Sequence, residues 1–157
     1  MRPYEERLDW VYPPPGISPV SLGATLHDGY LIGASFDSAV RSARLRVRIP
    51  HLELFTTLIF TGVEALRVAR SEGTPGSYYH TSIDWATFLE ALPAGRFETL
   101  RSAILLEEGE LSFWLGGLES NSWYELTIHA ERLELEGGTS LAEFIGLGEA
   151  YWAAFGS

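Results

Sequence analysis

Residues 44–49 read "RLRVRI", and this stretch decides the fold class. Side chains alternate across a strand, so Leu45, Val47 and Ile49 point to one side and Arg44, Arg46 and Arg48 to the other. A strand with one apolar and one charged face belongs to an antiparallel sheet with one face on a core. Upstream, Tyr30, Ile32, Ala34 and Phe36 alternate with Leu31, Gly33, Ser35 and Asp37, and "DSAVRS" (37–42) reads as the connection of a hairpin. Downstream, "LELFTTLIFTGVEALRVAR" (52–70) is rich in β-branched and aromatic residues. Its Thr61-Gly62 predicts two strands, or one strand bent at the glycine.

The pattern then changes. "SEGTPGSYYHT" (71–81) reads as a loop. In "SIDWATFLEALPAG" (82–95), Trp85, Phe88, Leu89 and Leu92 recur at helical spacing, Ser82 is placed to cap, Asp84 suits the first turn and Pro93 stops the element, so a helix is expected over 83–92. "RSAILLEEGELSFWLGG" (101–117) predicts a hairpin turning near Glu108-Gly109. In "WYELTIHAERLELE" (123–136) the inward set passes from Tyr124, Leu126, Ile128 and Ala130 to Leu133 and Leu135. This slip of parity predicts a bulge near Glu131-Arg132. Ser140 and Glu143 have capping-box spacing ahead of a C-terminal helix carrying Leu141, Phe144, Ile145, Trp152 and Phe155, with Gly146 and Gly148 as weak points or close contacts.

The expected fold is therefore α+β: seven or eight mostly antiparallel strands in a sandwich or strongly curved sheet, one short internal helix and one C-terminal helix. Residues 1–23, with Pro13, Pro14 and Pro15, form a proline-rich arm whose Tyr4, Leu8, Trp10 and Tyr12 suit covering a sheet face or meeting a second copy of the chain. Residues 24–157 are expected to form a single domain.

Composition narrows function. The 157 residues carry 21 acidic and 11 basic side chains, a formal net charge of −10 that disfavours nucleic acid and anionic membranes and favours a basic protein partner. The absence of cysteine excludes thiolate chemistry and fits a cytoplasmic setting, and no run of apolar residues is long enough for a membrane span. No nucleophile elbow or phosphate loop is present, so no catalytic residue and no cofactor is expected.

Four groups of residues carry the candidate chemistry. Two His-x-Glu triplets, His51/Glu53 and His129/Glu131, would gather four metal-ligating side chains if their strands were neighbours, though a solvated strand face gives the same alternation. Arg41, Arg44, Arg46 and Arg48 form a positive row, suited to anionic groups or to pairing with Glu53, Glu134 and Glu136. "GGLESNSWYEL" (116–126) resembles a contact loop, with Trp123 and Tyr124 beside Glu119 and Asn121. His27-Asp28 reads as the polar start of the first strand. Alternative readings are a metal-dependent enzyme or a small-molecule binder with an aromatic-lined pocket in the curved sheet.

Taken together, "LHDGYLIGASFD", "ARLRVRI", "LIFTGVEALRV" and "WYELTIHAERLELE" resemble a type of small bacterial β-rich protein that includes immunity proteins of polymorphic-toxin systems. In that type a His-Asp pair opens the first strand, an F-x-G-V segment (here Phe60 to Val63) lies mid-chain and an acidic strand closes the sheet. The resemblance spans residues 27–136 and implies binding rather than catalysis; joined to the acidic composition, it leads to the expectation of a non-catalytic binding protein, an acidic immunity protein neutralising a basic toxin.

Overall fold

A computed structural model describes residues 25–26, 28–72, 79–91, 97–107, 110–119 and 122–156. The arm at 1–23, His27 and Asn121 lie outside the described residues. The fold is α+β, as expected: mostly antiparallel sheet, a short internal helix and a C-terminal helix. The strands are β1 (Gly29–Asp37), β2 (Ser42–Ile49), β3 (Leu54–Thr61), β4 (Ala65–Glu72), β5 (Tyr79–Ile83), β6 (Phe97–Glu107), β7 (Glu110–Glu119), β8 (Ser122–Ala130) and β9 (Arg132–Leu135). Helix α1 is Trp85–Ala91 and α2 is Leu141–Gly156.

The strands make one unclosed sheet in the order β5-β4-β8-β7-β6-β1-β2-β3-β9, with every pair antiparallel. Curvature comes from a corner shared by two bent segments. β3 passes into β4 through Gly62, whose φ of +67° a residue with a side chain rarely adopts. β8 passes into β9 through Glu131, whose N–H is shared between the carbonyls of Thr61 (3.0 Å) and Gly62 (3.2 Å). The two segments pair with each other on both sides of this corner, Thr61 with Arg132 before it and Ala65 with His129 after it. The sheet therefore folds over its own core. Phe60 on β3 meets Phe113 on β7, four strands away in the sheet order, at a ring separation of 5.0 Å.

The expected break at Thr61-Gly62 and the expected parity slip at Glu131-Arg132 are these two bends. Ala130 and Leu135 are both buried, as that slip requires. β2 keeps strict alternation, with Leu45, Val47 and Ile49 buried and Arg44, Arg46 and Arg48 exposed. β1 does not. Its pairing with β2 shifts between Leu31 and Gly33, so Leu31 is the fully buried residue, Tyr30 turns outward and Phe36 is left exposed near the strand end. One extra residue in the strand exchanges its faces, which no simple alternation count captures.

Two further expectations are corrected. The loop expected over 71–81 gives way to strand at both ends, because β4 reaches Glu72 and β5 begins at Tyr79, while 73–78 lie outside the described residues. Ser82 belongs to β5, and Asp84 is the cap of α1, its Oδ1 accepting the Thr87 N–H at 2.7 Å. In α2 Ser140 caps the helix from the spacing read in sequence: its Oγ accepts the Glu143 N–H and donates to Glu143 Oε1, both at 3.1 Å. The helix continues through Gly146 and Gly148. The buried Thr25 hydroxyl donates to the Phe144 carbonyl (2.7 Å) and accepts the Gly148 N–H (3.2 Å), standing where those two groups would face each other along the helix.

Candidate binding face

The arginine row is built by β2 and its neighbours. Register places Arg44 between Ser35 of β1 and Ile59 of β3, Arg46 between Gly33 and Thr57, and Arg48 between Tyr30 and Phe55. These residues share the outer face, opposite the core. The Arg48 guanidinium lies 5.3 Å from the centre of the Tyr30 ring, and that of Arg46 lies 5.5 Å from the Phe55 ring. Such contacts hold a guanidinium in place without neutralising it. None of Arg44, Arg46 and Arg48 forms an ion pair with a described residue.

This departs from the structural pairing that the sequence allowed. Glu134 is engaged by Arg132 at 3.4 Å on its own strand. Glu53 sits beyond the end of the row, in a left-handed conformation after the Pro50–Leu52 turn. Arg41 does not continue the row either. It occupies the β1–β2 turn with φ +50°, and its guanidinium approaches Glu131 at 3.9 Å. Sequence reasoning missed Tyr30, Gly33 and Phe55 as members of the face. Their membership depends on the β1 bulge and on the β2–β3 register.

The four suggested metal ligands are not brought together. His51 and Glu53 follow β2 at one end of β3, and His129 and Glu131 lie at the other end. The eight residues of β3 separate the two pairs by about 23 Å at strand rise. His51-Leu52-Glu53 is not a strand at all. Pro50 has no N–H to give a ladder, and the chain turns there into a short 3-10 helix. His51 instead packs against α2, its ring tilted to those of Tyr151 and Trp152 at separations of 4.6 Å and 5.6 Å. His129 is buried on β8 with its Nδ1 2.9 Å from Ser112 Oγ. Among the described residues, no group of three or more His, Cys, Asp or Glu is arranged to hold a metal ion.

The suggested contact loop is also reassigned. Tyr124 is a core residue between Phe88 and Phe97, with ring separations of 6.0 Å to each. Trp123 is half-buried. It lies over Gly116, and its Nε1 donates to Glu125 Oε1 at 3.1 Å. Glu119 ends β7 paired with Ser122. Asp28 is exposed with φ +64°, and its N–H bonds the Thr99 carbonyl, which makes it the turn into β1. The concave side of the sheet is occupied by Phe60, Phe88, Phe97 and Phe113, all fully buried.

No helix among the described residues is long and apolar enough to cross a membrane. A scan of the chain against protein-family models finds no match, and a search of curated proteins finds none either.

Proposed function

We propose that the chain is a non-catalytic, cytoplasmic protein-binding domain whose outer β1-β2-β3 face is its contact surface. The observation that carries this reading is the row Arg44, Arg46 and Arg48. These are three exposed guanidiniums on one rigid strand, without an ion pair to any described residue, in a chain of net charge −10. An acidic protein has carboxylates to spare for quenching its arginines, so a row left open is a surface suited to carboxylates from elsewhere. The partner met here is acidic, opposite in sign to the basic partner that net charge alone favours. Immunity to a toxin is the role suggested by the sequence resemblance, and a toxin met at this face is one that presents carboxylates, not the basic toxin that net charge favours.

The test is a cross-linked purification from the native host, performed with the wild-type chain and with the R44Q/R46Q/R48Q variant. At least one protein recovered with the wild type is expected to disappear with the variant. Recovery of the same set with both overturns the assignment of this face.

A further inference from the structure

The geometry points to the chemical form of the partner: we infer that the face takes an extended acidic segment laid along β2, in which alternate carboxylates each meet one arginine. This inference rests on the protein-binding reading above and specifies its ligand. Arg44, Arg46 and Arg48 are alternate residues of a regular strand, so they repeat at about 6.6 to 6.8 Å. An extended peptide repeats its same-face side chains at that same distance, and three carboxylates stay in step with three guanidiniums. A helix presents neighbours of one face three or four residues apart and rotates them away from a straight row.

The surroundings fit a strand-like occupant. Beside the arginines, β1 offers Gly33 and Ser35, which leave the surface low, whereas β3 offers Thr57 and Ile59. An added Cβ at Gly33 would meet the Arg46 stem at 3.6 Å, an ordinary van der Waals contact, so that stem lies alongside the glycine. Phe55, 55% exposed, closes the end of the row with the Arg46 guanidinium over its ring. The row lies inside the sheet, flanked by β1 and β3, so the contact is made by side chains and not by adding a strand to an edge.

A phosphodiester chain has similar spacing but fits less well. Single-stranded nucleic acid gains much of its affinity by stacking bases on aromatic rings. Here Tyr30 and Phe55 each carry a guanidinium over the ring. The net charge of −10 would also repel a polyanion more strongly than it repels a short segment with three carboxylates.

Fluorescence anisotropy with three labelled probes tests the inference: the peptide Thr-Glu-Thr-Glu-Thr-Glu-Thr, its isomer Thr-Thr-Glu-Glu-Glu-Thr-Thr, and an oligothymidylate of equal length. The alternating peptide is expected to bind the wild-type chain about fivefold or more tighter than the isomer, and R46Q to weaken it by about three- to tenfold. Equal binding of the two peptides, tighter binding of the oligothymidylate, or no binding of the alternating peptide overturns the inference. The peptide contrast is made on the wild-type chain and needs no variant to fold. Failure here, combined with loss of a native partner on R44Q/R46Q/R48Q substitution, would remove the extended-segment form and leave the protein-binding reading standing.

Discussion

The pair Gly116-Gly117 shows how much one hydrogen atom in place of a side chain decides. A Cβ at Gly116 would come within 2.5 Å of the Trp123 ring on the outer face, and one at Gly117 within 2.5 Å of both the Glu98 carbonyl oxygen and the Phe97 ring on the core face. Neither the carbonyl nor a buried ring is a flexible end that can swing away. Gly117→Ala is therefore expected to destabilise the fold by about 1 to 3 kcal/mol, the ordinary range for an overpacked core, read as a lower midpoint in urea with unchanged slope. Gly146 is the counter-case. Nothing lies within 4 Å of its added Cβ, and it sits inside α2 with no positive φ recorded. Gly146→Ala should raise stability by up to about 1 kcal/mol through helix propensity and the smaller entropy of the unfolded chain. Sequence alone shows glycines at 116, 117 and 146 without ranking them, because the ranking depends on which rings and carbonyls the fold brings alongside.

At the scale of elements, caps and breaks were legible where local chemistry acts alone. The Ser140 cap and the stop at Thr61-Gly62 are decided by residues adjacent in the chain, and the slip at Glu131 shows in local alternation although the Thr61 and Gly62 carbonyls hold the bend. The α1 cap was displaced by two residues, since Ser82 is drawn into β5 by pairing with Ala69 of β4. Asp84 inherits the role, and its hydrogen bonds to the Thr87 hydroxyl and then to the Thr87 N–H hold its carboxyl below the usual value. A carboxyl depressed in the folded state adds stability above its unfolded value and loses it as pH falls through the folded value. Asp84→Asn, which keeps a capping side chain but no charge, should be less stable than wild type at neutral pH. The two should converge as pH drops below about 4, the normal range of aspartate titration. Urea midpoints across that range check this, and a constant gap would deny the charge its role. The link between Thr25 and α2 was illegible, being a contact across 119 residues from Thr25 to the Phe144 carbonyl. Thr25→Val keeps the shape and removes the hydroxyl, so a loss of about 1 to 3 kcal/mol is expected for the unsatisfied buried helix groups, with faster amide exchange at Gly148.

For the molecule as a whole, alternation along each strand revealed the sheet, and the order of strands depended on contacts far apart in sequence. The same division explains the binding face. Arg44, Arg46 and Arg48 announce themselves in "RLRVRI", but whether a carboxylate stands across from each of them is a matter of register. Register placed Ser35, Gly33 and Tyr30 on one side and Ile59, Thr57 and Phe55 on the other. A row that served the fold would be held by ion pairs, and its loss would be felt in stability. Here the arginines have only the two ring contacts to lose within the described residues, at Tyr30 and Phe55. Against this stands added self-repulsion: replacing three of the 11 arginines by glutamine takes the formal net charge from −10 to −13. Exposed ring contacts of this kind contribute about 0.5 to 1 kcal/mol each at most. The R44Q/R46Q/R48Q variant should therefore remain folded, with a loss of no more than about 2 kcal/mol that shrinks as added salt screens the excess negative charge. A loss several times larger would mean that the row is tied into the fold by interactions beyond these two rings. Thermal unfolding at low and high salt measures both quantities on the same samples used for partner recovery, so a binding defect can be separated from a folding defect.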